Sequence, residues 1–159
     1  MKKLICTLYI AVFFCTGCSS TGLVHDKSYL RAVYAETNGG ETHLSMAFFS
    51  DEETVSVSGE DIYSAVKSAE IQKGKPIVTG FTELVILGDG GEKEILEYML
   101  NKWKVSPSCL AVKYTDGAEK IENCDIEKLI GTIRESVKQK KFPPCDIVTV
   151  LGDYLIGKK

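Results

Sequence analysis

The sequence predicts an α/β (α+β) domain: a mixed β-sheet that opens with an antiparallel hairpin and carries three main helices packed on it. Three observations predict this. Two extended segments, Tyr29 to Glu36 and Thr42 to Ser50, flank Thr37-Asn38-Gly39-Gly40, whose Asn and Gly residues supply the positive φ of a tight hairpin. Leu84-Val85-Ile86-Leu87 is apolar throughout and short, as a central strand covered on both faces should be. Three longer stretches repeat apolar residues at helical spacing, and their alternation with strands indicates helices layered on a sheet.

The elements follow in order. Asp51-Glu52-Glu53 reads as a solvated loop, and Thr54 to Val57 as an extension of the second strand across a bulge. Ser58 with Asp61 three residues on reads as a capping box, behind which Ile62, Ala65, Val66 and Ala69 form the buried side of the first helix. Lys73-Gly74-Lys75-Pro76 breaks it. After the central strand, Gly88-Asp89-Gly90-Gly91 turns the chain into a second helix, with Asp89 as its N-cap and Ile95, Leu96, Met99, Leu100 and Trp103 as its buried stripe. Ser106-Pro107 ends that helix, Cys109 to Lys113 is the next strand, and Asp116-Gly117 turns out of it. The third helix starts near Asp125 and keeps Ile126, Leu129, Ile130, Ile133 and Val137 on one face. At its end Lys138, Lys140 and Lys141 offset the negative pole of the macrodipole. The last segment reads two ways. Ile147-Val148-Thr149-Val150 is β-branched like a strand, yet Ile147, Val150, Leu151 and Tyr154 keep helical spacing after a Pro144 and Asp146 that suit a helix start.

The N-terminus carries an address. Lys2-Lys3, the apolar run Leu4 to Phe14, and Thr16-Gly17 before Cys18 follow the order of a lipoprotein export signal, with Cys15 where an aliphatic residue is usual. An apolar segment of eleven residues is too short for a spanning helix, which needs about 20. The expected organisation is a signal peptide over 1–17, a lipidated tether over 18–28 beginning at Cys18, and a single domain over 29–159. Export with a lipid anchor on the outer face of a membrane follows. The signal takes two lysines with it, leaving 17 basic against 22 acidic residues and a net charge of −5. That balance argues against nucleic acid as a partner and against adhesion to anionic headgroups, so the acyl chains must supply the attachment.

The residue types that do chemistry are scattered. Cys109, Cys124 and Cys145 remain after the signal and Cys18 are set aside. They are not in a C-x-x-C and lie far in sequence from His25 and His43, so no metal is expected. They read as small buried apolar side chains, or as one disulfide such as Cys109 to Cys124 with the third left over. Gly88 to Gly91 sits between strand and helix, where phosphate cradles occur, but lacks the G-x-G-x-x-G and P-loop patterns and carries Asp89, Glu92 and Glu94. It reads as a plain turn, and no cofactor is expected. His43 in mid-strand reads as a surface residue and Trp103 as core; the pairs Glu92 with Glu94 and Glu60 with Asp61 sit at helix starts, where negative charge is stabilising. Catalytic residues are not assigned, and the expectation is a protein that is not an enzyme.

The chain resembles the N-terminal domain of the Ger(x)C family, the C-subunit lipoproteins of spore germinant receptors. The resemblance starts at the lipid cysteine and runs through Tyr29-Leu30-Arg31-Ala32-Val33-Tyr34-Ala35-Glu36 and the capped helix from Gly59 to Ala69. Its most specific part is Gly74-Lys75-Pro76-Ile77-Val78-Thr79-Gly80-Phe81-Thr82-Glu83-Leu84-Val85-Ile86-Leu87-Gly88, where the family has a glycine-lysine pair, a Gly-His and an aliphatic strand ending at Gly. Here the Gly-His is Gly80-Phe81, and the family's arginine-aspartate-proline after the next helix is Lys104-Val105-Ser106-Pro107. Family members continue into two further domains. The resemblance implies a non-enzymatic lipoprotein on the outer face of the spore inner membrane that assembles with membrane germinant-receptor subunits. The other function class left by the residues is a generic exported lipoprotein binding a small extracellular ligand.

Overall fold

A computed structural model of the chain describes residues 24–50, 53–114 and 117–157. After a short 3-10 turn, Val24–Asp26, strand β1 (Ser28–Asn38) and strand β2 (Glu41–Phe48) form the expected hairpin. Gly39 and Gly40 make its two-residue turn at φ 61° and 86°, the left-handed pair that a hairpin of this length requires. The register shifts between Leu30 and Ala32, so Arg31 is an extra residue in β1. This bulge lets Leu30, Val33 and Ala35 share one face although the first two are three apart.

Residues 55–59 do not prolong β2. They form a separate strand, β3 (Val55–Gly59), which folds back antiparallel on β2 with Met46 opposite Val55 and Thr42 opposite Gly59. Helix α1 (Ile62–Lys73) follows, and its capping box lies three residues beyond the predicted one. Ser58 is still in β3; Asp61 is the N-cap, accepting from Ser64 N at 2.7 Å, while Asp61 N donates to Ser64 Oγ at 3.0 Å. Gly74, at φ 66°, ends the helix.

The chain then runs up the other side of β1. Strand β4 (Ile77–Val78) pairs in parallel with Ser28 and Tyr29, and β5 (Leu84–Leu87) with Ala32 to Ala35. Helix α2 (Glu92–Tyr98) continues as a π-helical turn, Met99–Trp103, and leads back to β6 (Leu110–Lys113), parallel to β5. The sheet order is β3-β2-β1-β5-β6, with β4 beside the start of β1. Central β5 is buried along its whole length, as its composition predicts.

Beyond β6 there are two helices more than the three predicted. Helix α3 (Gly117–Asn123) begins at the predicted turn and occupies the stretch before Asp125 to which no element was assigned; with Ile121 the fully buried apolar side chain among its described residues, it offers little periodicity to detect. Helix α4 (Ile126–Lys138) starts at Asp125, which accepts from Lys128 N at 3.0 Å. The ambiguous final segment is α5 (Ile147–Leu155). Before it, Leu110 bridges Asp146, with Ala111 N donating to Cys145 O and Ile147 N to Cys109 O, so the outer edge of β6 is covered.

The result is three layers. On one face Val33, Leu44, Met46, Val85 and Leu87 pack with Ala65 and Ala69 of α1, Ile95 of α2, Met99 of the π-helical turn and Ile147 of α5. On the other, Ala32, Tyr34, Leu84 and Ile86 meet Ile121 of α3 and Ile130 of α4. The α4 stripe behaves as predicted: Ile130 is buried, and Ile126, Leu129, Ile133 and Val137 are half-buried beside it.

The start of α5 illustrates how a cap carries pH dependence. Asp146 accepts from Thr149 Oγ1 at 2.6 Å and from Thr149 N at 2.9 Å, and these bonds hold its carboxyl below the ordinary aspartate value against a smaller opposing effect of burial. A carboxyl lowered on folding contributes stability above its unfolded pKa, and that contribution is lost as pH falls through the folded value. Asp146→Ala is expected to cost ~0.5–2 kcal/mol at neutral pH. The deficit should shrink in acid, and a denaturant midpoint gap that is the same at pH 7 and pH 3 would contradict the assignment.

Candidate functional site

Cys18, the lipidation site predicted from sequence, lies outside the described residues. The first described element, the turn Val24–Asp26, falls within the stretch read as tether and leads directly into β1.

A polar groove of about 430 Å³ opens between α3 and the sheet face of β1, β2 and β3. Strand pairing assembles it. His43 stands opposite Ser58 and Ser45 opposite Ser56, and each pair is hydrogen-bonded across the ladder, His43 Nδ1 to Ser58 Oγ at 2.6 Å and Ser45 Oγ to Ser56 Oγ at 2.9 Å. From α3, Glu122 Oε1 accepts from Ser56 Oγ at 3.0 Å. On β1, the Tyr34 hydroxyl donates to Glu36 at 2.5 Å. The lining therefore offers an imidazole, hydroxyls and two carboxylates to a polar or cationic small molecule.

His43 and Ser58 also raise the question of nucleophilic chemistry. The third group is Glu41, whose carboxylate lies 4.0 Å from His43 Nε2. That is beyond hydrogen-bond reach, so Glu41 does not orient the ring as the third member of a catalytic triad does. The His43 side chain is 39% exposed, a strand-face histidine held by its cross-strand neighbour.

The glycine-rich loop Gly88 to Gly91 has a packing explanation. A Cβ on Gly88 would overlap the Tyr34 hydroxyl and one on Gly90 the Thr37 carbonyl oxygen. Gly90 and Gly91 adopt φ 81° and 71°, and Thr37 N donates to the carbonyls of Asp89 and Gly90, both at 3.3 Å. The glycines bring the loop against β1. The expected Asp89 cap is not formed: Gly91 is the N-cap and makes no side-chain bond. Asp89 instead lies 3.2 Å from Lys113 Nζ, which also donates to Glu92 at 2.7 Å. These two carboxylates raise the Lys113 pKa above its ordinary value, Glu92 contributing most. Sequence reasoning missed this cluster and the largely buried Glu92 in it, because it depends on β6 lying beside β5.

The three cysteines are free. Cys109 joins the core on one face of the sheet and Cys145 the core on the other, which separates them although their backbones pair. Burial, with a smaller contribution from Glu83, pushes the Cys109 thiol up to about 12, and burial followed by Asp146 raises Cys145. Both are protonated thiols at neutral pH, the reading as buried apolar side chains, whereas the Cys109 to Cys124 disulfide is not formed. Trp103 is core, 8% exposed, with its ring edge-on to Tyr98 at 6.3 Å. Lys138 stands in the last turn of α4, as predicted. Among the described residues no group of three metal-ligating side chains converges.

Comparisons with protein-family models, with curated proteins and with solved structures find no match.

Proposed function

We propose that the protein is an exported lipoprotein held to the outer face of a membrane through Cys18, and that its folded domain is an assembly module of the Ger(x)C N-terminal kind. In this reading it has a non-enzymatic part in spore germination and contacts membrane germinant-receptor subunits. The observation that carries the reading is the run Lys2-Lys3, Leu4 to Phe14, Thr16-Gly17-Cys18, separated by only nine residues from Ser28, the first residue of the sheet. An anchor that close to a rigid domain holds it at the bilayer. The stretch from Gly74 to Gly88, which carries the most specific resemblance, covers the α1 cap, β4 and central β5, the path that organises the middle of the sheet.

Cys18→Ala tests the anchor. The variant is expected to stay unprocessed or to be released, and to lose palmitate labelling, because the acyl chains are the main attachment of an acidic domain. Labelling at the parent level would refute it.

The polar groove favours a second reading, an exported lipoprotein that binds a small polar ligand between Glu36, His43 and Glu122. A ligand that prefers the folded state raises the melting temperature. One saturable shift in a screen of amino acids, sugars and nucleotides, without co-purifying membrane subunits, would favour this reading over the first.

A further inference from the structure

The end of the sheet where β1 begins gathers exposed aromatic rings. Ser28 N donates to Pro76 O, Phe49 N to Tyr29 O, and Glu83 N to Arg31 O, so the chain entry, the loop after β2 and the segment between β4 and β5 all meet there. Phe81 is 62% exposed, with its ring 5.7 Å from that of Tyr29, and Phe49 is 44% exposed beneath the Arg31 guanidinium, 5.1 Å from the ring centroid. Phenylalanine has no polar tip to hydrate. At the far end Tyr63 and Tyr114 are exposed, and Phe142 is 44% exposed in the segment that runs antiparallel to β6, so what distinguishes the β1 end is the gathering of two phenylalanines with Tyr29 and Arg31.

We propose that this end, centred on Phe81, Phe49 and Tyr29, is a membrane-apposed face that sits in the interfacial layer of the bilayer holding Cys18. The proposal rests on the lipoprotein reading. Six peptide steps separate Cys18 from Val24, the first residue of the 3-10 turn, and even fully extended they span at most about 22 Å. The aromatic end is therefore the part of the domain closest in chain length to the anchor. Phenylalanine side chains bury into the boundary between headgroups and acyl chains, Tyr29 suits the headgroup level above it, and a set placed there adds a second attachment to the acyl chains.

Charge selects the kind of lipid surface. Lys27, Arg31, Lys73, Lys75 and Arg134 at this end stand against Asp26, Glu53, Glu83, Asp125 and Glu127, and Asp51 and Glu52 of the same loop lie outside the described residues. With no excess of positive charge, the face suits a zwitterionic interface and gains little from anionic headgroups. Seated in this way, the domain holds β1 pointing away from the bilayer. The polar groove, which contains Glu36 toward the far end of that strand, then opens to the exterior.

The test uses the full lipidated chain in phosphatidylcholine vesicles. Trp103 is the single tryptophan, so in a Trp103→Phe background Phe81→Trp and, separately, Tyr63→Trp each report one position. Brominated acyl chains are expected to quench the indole at position 81 several-fold more than that at position 63, equally with and without phosphatidylglycerol. Phe49→Trp provides the same readout should Phe81→Trp fail to fold. If the chain floats with vesicles and the two positions are quenched alike, the face is wrong while the anchor stands. If the chain does not float, both readings fall. Shielding of position 81 from aqueous acrylamide only when host membrane proteins are co-reconstituted would assign the face to a protein partner and overturn the proposal.

Discussion

Leu87→Ala is expected to destabilise the domain by ~2–5 kcal/mol, read as a lower denaturant midpoint at unchanged slope. Leu87 is fully buried in the central strand, with Ala35 of β1 and Lys113 of β6 as its neighbours across the ladder. Its face carries the larger core, against α1, α2 and α5, so truncation leaves a cavity between layers that a sheet cannot close by shifting one strand. Against a typical total of about 5–15 kcal/mol, such a loss is a large fraction. Ile71→Ala is the control. Ile71 is 82% exposed on α1, and its truncation should change stability by less than about 0.5 kcal/mol. Equal midpoints for Leu87→Ala and the parent would mean that this face of β5 is not buried under the helices.

What the sequence made legible was chemistry held within a few residues. Asn38-Gly39-Gly40 dictates a turn by itself, four consecutive aliphatic residues dictate a covered strand, and Asp125 before an unbroken apolar face dictates a helix start. Pairing across distance was less accessible. Val55–Gly59 looked like a continuation of β2 because a strand that folds back and one that continues share the same alternation; only the loop after Phe48 decides. The α5 segment was ambiguous for a related reason, since β-branched residues tolerate either state until Asp146 caps the helix. The groove and the Lys113 cluster follow from register, and reading residue by residue gave their members separate roles: His43 a surface position, Ser58 and Asp89 helix caps, Glu92 a helix-start charge and Lys113 the end of a strand. Cys18 is the reverse case, a proposed site whose argument is carried wholly by local sequence.

Gly90→Ala separates two accounts of the loop after β5. If its glycines existed to admit a phosphate, an added methyl would leave stability nearly intact and would weaken anion binding. The structure gives them another task. Gly90 has φ 81°, which disfavours any side chain, and a Cβ there would collide with the Thr37 carbonyl oxygen, which belongs to the backbone of β1 and cannot swing aside. Asp89 and Gly90 both accept from Thr37 N, so moving the loop away would also weaken the bonds that hold it. The conformational penalty and the steric one together should cost roughly 2–5 kcal/mol. Gly39→Ala isolates the first contribution, because Gly39 has φ 61° but open space around its missing Cβ, and ~1 kcal/mol is expected there. Comparable losses at the two positions would show that the loop yields to the methyl and that its contact with β1 is not a constraint. A much larger loss at Gly90, with no thermal shift from phosphate or nucleotide in the parent, would identify close packing against β1 as the reason for glycine.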